Sequence, residues 1–432
     1  MSEEKLPKGW KLTDLFEIAE VQTGKKDANY ATDDGEFYFF TCAMEPLRAP
    51  NYSYEGEVLL LPGNGANVGQ VIYFNGKFEA YQRTYIVGNI KIEPRFLYYF
   101  FLAFWKEIGT STQYGSATNY IKIGNFKDFK IINPPFPEQQ RIVAKLDAVF
   151  GHLDRVREKL DRIPELLKNF RQQVLTQAVT GKLNIDLKVS DHLILESAIT
   201  IGNETQIKPK GWKWRLLTEV AKLESGHTPR KSREDYWENG NIPWISLQDI
   251  RSAHGKIISE TKYMPNKKGI ENSSARILPE GTVCFSRDIS VGFTTIMGRE
   301  MATSQHFANW ICGEELNNKY LLYAFMASRD YLIGEGKGTT VGTIYMPALK
   351  QMYILLPPKD IQIEIVRQIE NLFEIADKIE SQYQSLKAKI DQLPQAVLSK
   401  AFRGELVGQE VKEYVREIGE LGMVAEGKDY FK

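Results

Sequence analysis

Apolar residues at Ile142, Leu146, Val149, Leu153, Val156, Leu160, Ile163, Leu167, Phe170 and Val174 are spaced alternately four and three apart. That alternation is an a/d heptad seam, and it predicts one long helix over 136–183 that supercoils left-handedly with a partner helix. At about 1.5 Å per residue such a helix is roughly 60 Å long. Pro164 lies inside the stretch, but the heptad phase runs through it unchanged, so the spacing predicts a kink there and not an end. A second seam follows at Ile365, Ile369, Leu372, Ala376, Ile379, Tyr383, Leu386, Ile390, Leu393 and Val397, each 223 residues beyond its counterpart (365 − 142 = 223). Pro134 and Pro135 recur at the same offset as Pro357 and Pro358, Phe150 as Phe373, and Gly181 as Gly404. The partner helix is therefore expected in the same chain.

Between the helices the period changes. Glu57 to Val87 reads as short apolar runs separated by Gly-Asn turns, which predicts strands. Residues 96–105, FLYYFFLAFW, predict a buried helix and are too few to span a membrane. Pro7, Lys8, Gly9, Trp10 and Lys11 return as Pro209, Lys210, Gly211, Trp212 and Lys213 at an offset of 202 (209 − 7 = 202), while Gly69/Gly292 and Gln82/Gln305 keep the offset of 223. The second globular segment is thus longer by 21 residues (223 − 202 = 21), placed in or near 228–256. The chain reads as one α+β globule and one helix, written twice. Its expected divisions are a first globule over 1–135, a long helix over 136–183, a linker without sustained period over 184–206, a second globule over 207–358, a second helix over 359–406 and a tail over 407–432. The simplest arrangement is pseudo-twofold, with the two coiled-coil helices antiparallel between the globules.

Charge and cysteine content narrow the chemistry. Fifty-five Lys and Arg balance 55 Asp and Glu, so any anion-binding surface has to be local. Cys42, Cys284 and Cys312 lack metal-ligand spacing and fit a reducing cytoplasm. The opening MSEEKLPKGW has no apolar run of the signal-peptide kind.

The repeated PKGWK starts carry a family resemblance together with several other stretches. These are SGHTPRKSREDYWENGNIPWISLQD from Ser225, Ala302 to Phe307, the Pro-Pro helix starts followed by Gln139 and Gln362, and the helix ends LTQAVTGKL and LSKAFRGEL. Up to about Leu406 the chain resembles the DNA-specificity subunits of type I restriction-modification systems, although His227 stands where a glycine is usual. The resemblance implies that each globule is a target recognition domain reading one half of a bipartite site on double-stranded DNA. The helices would set the unread spacer, and two methylation subunits and the restriction/motor subunits would assemble with the chain. It also implies a non-catalytic chain with no cofactor of its own, S-adenosylmethionine belonging to the methylation subunits.

DNA reading needs polar groups for base edges and cations or amides for phosphates. In the first globule the candidates are Lys25, Lys26, Asn29, Tyr30, Asn64, Asn67, Gln82, Arg83, Tyr120 and Lys122. In the second they are His227, Thr228, Arg230, Lys231, Arg233, Arg287, Gln305, His306, Thr340 and Tyr345. Trp237 and Trp244 read as core. Two alternatives remain. Asn133-Pro134-Pro135-Phe136 matches the motif that holds an amino group in N6-adenine methyltransferases, but no glycine-rich cofactor loop accompanies it, and its repeat partner Leu356-Pro357-Pro358-Lys359 lacks the motif's chemical residues. A coiled-coil scaffold would explain the helices but not two polar, divergent globules. Gly63-Asn64-Gly65 with Gly69 reads as a tight turn, and the Glu-x-Lys triplets at Glu335 and Glu410 lack an upstream acidic partner.

Overall fold

The computed structural model describes residues 6–111, 119–127, 129–183, 195, 197–202, 207–335 and 342–406. They fall into two units, one from 1–161 and 384–432, the other from 162–383. The unit boundaries cut through the long helices, so each unit holds one globule, the start of the helix that follows it and the end of the other helix.

In unit one the strands are β1 (Lys11–Asp14), β2 (Glu20–Thr23), β3 (Phe37–Phe40), β4 (Leu47–Ala49), β5 (Tyr54–Pro62), β6 (Ile72–Ala80), β7 (Thr84–Gly88) and β8 (Lys130–Asn133). Six form a sheet of order β2-β7-β5-β6-β3-β4, and β1 pairs separately with β8. All pairs are antiparallel except β3 with β6. The first half of β5 alternates, whereas Val58–Pro62 is buried on both faces, as expected where a helix covers one side. That helix is α1 (Pro94–Ser111), the predicted buried helix. Its Phe96, Phe100, Phe101 and Trp105 are buried, and Trp105 stacks on Phe126 with ring centroids 4.5 Å apart.

Unit two contains β9 (Ile199–Ile201), β10 (Lys213–Leu216), β11 (Ala221–Ser225), β12 (Trp244–Ile245), β13 (Ile257–Ile258), β14 (Val283–Ser286), β15 (Thr294–Met297), β16 (Ala302–Thr303), β17 (Phe307–Cys312) and β18 (Met352–Leu356). The order β11-β17-β14-β15-β13 repeats β2-β7-β5-β6-β3, down to the parallel pairing of the last two strands. β10 and β18 repeat β1 and β8. β9 adds a strand to β18, so part of the expected linker belongs to the second globule. Three residues are too few to show a period in sequence.

The long helices are α2 (Phe136–Leu160), α3 (Ile163–Val179) and α5 (Lys359–Phe402); α4 (Asn318–Ala327) is the second globule's counterpart of α1. The kink expected at Pro164 is a break instead. α2 ends at Leu160, and Asp161 and Arg162 keep right-handed backbone angles before α3 begins. Pro164 occupies the first turn of α3, where its missing N–H costs nothing. Of the two seams, Phe170, Ile379 and Leu386 are exposed, while Ile142, Leu146, Val174, Ile369, Ala376 and Val397 are buried.

Two joints hold helices to each globule, and both occur twice. At the helix starts, Gln139 and Gln362 are buried. Gln139 donates to the carbonyl of Pro134 at 2.8 Å and accepts from the N–H of Glu93 at 2.9 Å. Gln362 donates to Pro357 at 2.9 Å and accepts from the N–H of Asn317 at 2.7 Å. At the helix ends, Phe402 of α5 packs against Phe96 and Phe100 at 5.4 and 5.1 Å, and Gln395 donates to the Ala103 carbonyl at 3.0 Å. In unit two Val174, Leu175, Ala178 and Val179 of α3 join the core of Trp212 and Trp214, and Gln172 donates to the Ala327 carbonyl at 3.2 Å. Exposed ion pairs run alongside, Lys387–Asp161 in unit one and Arg171 with Asp377 and Glu380 in unit two; such pairs contribute little.

The glycine after each helix end explains the shared PKGW starts. Gly404 has φ +77°, and a Cβ there would lie 2.5 Å from Pro7 Cγ; Gly181 has φ +80° and would meet Pro209 at 2.7 Å. Gly151, inside α2, has open space around it. Gly404→Ala should therefore lower unfolding stability by about 1–2 kcal/mol from the left-handed backbone alone, with the contact to Pro7 adding to it. Gly151→Ala should raise stability by about 0.8–1 kcal/mol. Equilibrium denaturation of both variants checks the contrast.

Candidate nucleic-acid interface

At one end of the first sheet four segments meet. The segment after β2 approaches the end of β6, where the Lys26 N–H bonds the Ala80 carbonyl and the Gln82 N–H bonds the Lys26 carbonyl at 2.9 Å. The β5–β6 loop joins through Gly63, whose N–H bonds the Arg83 carbonyl at 2.8 Å, and through a bridge between Asn64 and Tyr120. Lys25, Lys26, Asn29, Tyr30, Asn64, Asn67, Gln82, Arg83, Tyr120 and Lys122 all belong to these segments, so the structure gathers the first globule's candidates. Lys25, Asn29, Gln82, Arg83, Tyr120 and Lys122 are exposed. Lys26 Nζ lies 4.3 Å from the Tyr30 ring centre and Lys122 Nζ 5.8 Å from that of Tyr120. Asn67 serves the fold instead, donating to the Cys42 carbonyl at 2.9 Å.

The second globule builds the same end from equivalent positions. Asn64, Gln82, Arg83 and Lys122 correspond at the 223 offset to Arg287, Gln305, His306 and Tyr345, and Lys26 corresponds at 202 to Thr228. Both glutamines bond the loop after the edge strand, in opposite directions: Gln82 donates to Asp27 at 2.8 Å, and Gln305 accepts from the Thr228 hydroxyl at 2.6 Å. Close approach of the preceding loop requires glycine in both. A Cβ at Gly24 would lie 2.2 Å from the Ala80 oxygen, and one at Gly226 2.3 Å from the Ser304 oxygen.

Around that frame the second end is denser. Arg287 Nε and Nη2 donate to the Gln305 carbonyl at 3.2 and 3.1 Å. His306 Nδ1 lies 2.5 Å from Asp288 Oδ1. His227 is exposed and receives the Trp244 indole N–H on its carbonyl at 3.0 Å. Trp244 and Trp237 form an edge-on pair, with Trp244 buried, as expected for core. Arg230 is exposed; Lys231 is exposed with its Nζ 5.8 Å from the Trp244 ring centre and 5.6 Å from that of Tyr263. Arg233 is committed internally: it grips Asp235 with two bonds of 2.9 and 3.0 Å. Those bonds, with that of Lys268, hold the Asp235 carboxyl well below the usual carboxylate range. Tyr345 is exposed just before a single helical turn. Thr340 lies outside the described residues.

The sequence reading passes over Asp27, Asp288 and Ile289. Ile289 has φ +55°, a conformation that costs an L-residue about 1–2 kcal/mol and is rarer still for a β-branched one. The repeat gave no sign of it, since the 223 offset aligns Ile289 with Ala66 and places Asp288, not Ile289, at the left-handed Gly65.

The model of the type I restriction modification DNA specificity domain matches residues 7–165 and again 209–388. The chain belongs to that family. The two matches begin at Pro7 and Pro209, where the two PKGW starts lie. The EcoDI specificity subunit of Escherichia coli is 30% identical over 95% of this chain and 91% of its own length. The StySPI specificity subunit of Salmonella potsdam is 27% identical over 95% and 92%. Among solved structures, the HsdS subunit from Thermoanaerobacter tengcongensis shares the fold at TM-score 0.58 and 19% identity, covering 93% of this chain and 98% of that one. A chain from a study of complex assembly and conformational transition of the type I R-M system does so at TM-score 0.66 and 19% identity, over 93% and 100%. The function of a type I specificity subunit follows from membership in this family, and neither the methyltransferase nor the scaffold alternative is favoured.

The geometry around Asn133 accounts for the methyltransferase-like motif. Its side chain is buried, accepts from Gln139 at 2.9 Å and donates to the Thr13 hydroxyl at 3.2 Å. It ties β8 to the start of α2. Among the described residues no group of three or more His, Cys, Asp or Glu could hold a metal ion, and no helix is long and apolar enough to cross a membrane. Asn133→Ala should cost about 1–3 kcal/mol by leaving buried polar partners unmet, seen as a lower thermal midpoint. DNA methylation by the assembled complex should persist below that midpoint, whereas its abolition in a folded variant would restore the methyltransferase reading.

Proposed function

We propose that each of the two sheet ends reads one half of a bipartite site on double-stranded DNA, and that the chain performs no chemistry itself. The single observation that carries this reading is the reuse of one frame for two different surfaces. Gly24 and Gly226, and Gln82 and Gln305, keep their places. The polar groups around them, exposed or partly exposed, change from Lys25, Asn64 and Arg83 to His227, Arg287 and His306. A fixed frame with exchanged polar groups is what two different base sequences demand.

The long helices act as the ruler for the unread spacer, antiparallel and pseudo-twofold, with a target recognition domain at either end. Two methylation subunits dock on them, bringing the S-adenosylmethionine, and the restriction/motor subunits complete the assembly. The exposed Leu166, Phe170, Ile375 and Ile379 supply apolar surface for such partners. Burial pushes the partly buried Cys312 thiol up to about 12 and the buried Cys284 thiol higher, so neither is a ready nucleophile at neutral pH. We place the complex in the cytoplasm.

Arg230 and Lys231 test the interface. In the assembled methylation complex, Arg230→Ala with Lys231→Ala should weaken binding to every DNA sequence if the pair meets phosphates. The salt dependence of log K should then fall by about 0.9 for each phosphate that is no longer neutralised. If one of them reads guanine, the loss should instead be about 1–3 kcal/mol at one base pair. Unchanged affinity, salt slope and motif would show that the loop after β11 does not face DNA.

A further inference from the structure

Resting on the reading above, we propose that Ile289 is a specificity-determining residue, seated against the 5-methyl group of a thymine in the half-site read by the second globule. Its side chain is 50% exposed on the loop between β14 and β15, between Arg287 and Ser290. An isoleucine has no reason of its own to be there. In the first globule's loop Gly65 is left-handed at φ +84°, and its counterpart at the 223 offset is Asp288, while Ala66, the counterpart of Ile289, is not left-handed. The second globule instead forces a β-branched residue to φ +55° and holds it out into water. Neither folding nor solubility gains from that choice, so the gain lies in what the side chain meets.

The loop is braced as a presenting element would be. Arg251 Nε donates to the Ser290 hydroxyl at 2.7 Å, and the Ser286 hydroxyl donates to the Asp288 carbonyl at 3.1 Å. The Ile344 N–H bonds the Arg287 carbonyl at 2.8 Å, and His306 meets the Asp288 carboxylate. The polar candidates Arg287, Gln305 and His306 therefore sit on the segments that fix Ile289 in place. Polar groups of this kind answer the donors and acceptors of base edges. The distinctive apolar group at a base edge in the major groove is the thymine methyl, and an aliphatic side chain is its natural complement. A wedge between base steps, the other common use of an exposed apolar side chain, would be indifferent to that methyl.

The test replaces thymidine by deoxyuridine, one position at a time, through both halves of the methylated motif, with binding measured for the assembled methylation complex. The wild-type complex should lose about fourfold in affinity at one position in one half, the equivalent of one buried methyl group. Ile289→Gly removes the left-handed strain, so its thermal midpoint should be unchanged or higher. That variant should bind thymidine and deoxyuridine alike at the same position and leave the other half-site untouched. The proposal is overturned if the wild-type complex tolerates deoxyuridine everywhere, if the second half-site has no A·T pair, or if Ile289→Gly keeps the full methyl sensitivity. Failure of the broader DNA-reading function would look different: the complex would show no sequence-selective binding to either half.

Discussion

Each globule closes its core with a helix end that the chain supplies from the other repeat. In unit one that end is the stretch of α5 carrying Val397, Leu398, Ala401 and Phe402, all buried; in unit two it is Val174, Leu175, Ala178 and Val179 of α3. Burying one such large side chain contributes about 1.5–3 kcal/mol, which makes the borrowed end a large share of any globule's stability. The fit is narrow because a left-handed glycine must turn the chain beneath a proline and a tryptophan, Gly404 beneath Pro7 and Trp10, Gly181 beneath Pro209 and Trp212. The recurrence of PKGW and of the helix-end glycine at fixed offsets is the sequence record of this joint.

That constraint separates what can vary from what cannot. The joints, the buried glutamines at the helix starts and the five-strand order are shared by both units. The loops at the candidate interface are tied to the frame in part by backbone bonds, such as Lys26 to Ala80 and His227 to Thr303, which do not depend on the side chains at those positions. The 21 additional residues of the second globule, counted from the two offsets (223 − 202 = 21), sit in this permissive region. Members of a specificity family need a frame of this kind, in which recognition changes without refolding.

Much of the frame was legible because it is periodic or repeated. The heptad spacing gave the long helices, and the two offsets gave the doubled unit and the matched candidate position Gln82/Gln305. What escaped was local geometry. Heptad phase carries no record of the break at Asp161 and Arg162, because both residues keep helical angles while Pro164 starts a new helix. β9 is too short to have a period. Arg233 reads as a free cation until Asp235 is seen two residues away in space as well as in sequence. Ile289 carries no polar group, so a search for donors and acceptors passes it by, and only its backbone angle marks it.

The central proposal is that one reading unit is used twice, once for each half of the DNA site. Mapping methylated bases across the genome of cells carrying the complete system tests it most directly. The account predicts a single motif made of two short specified halves separated by a constant run of unspecified base pairs, and lost when the gene for this chain is deleted. A contiguous motif, a variable spacer, or an unchanged methylation pattern after deletion would contradict it.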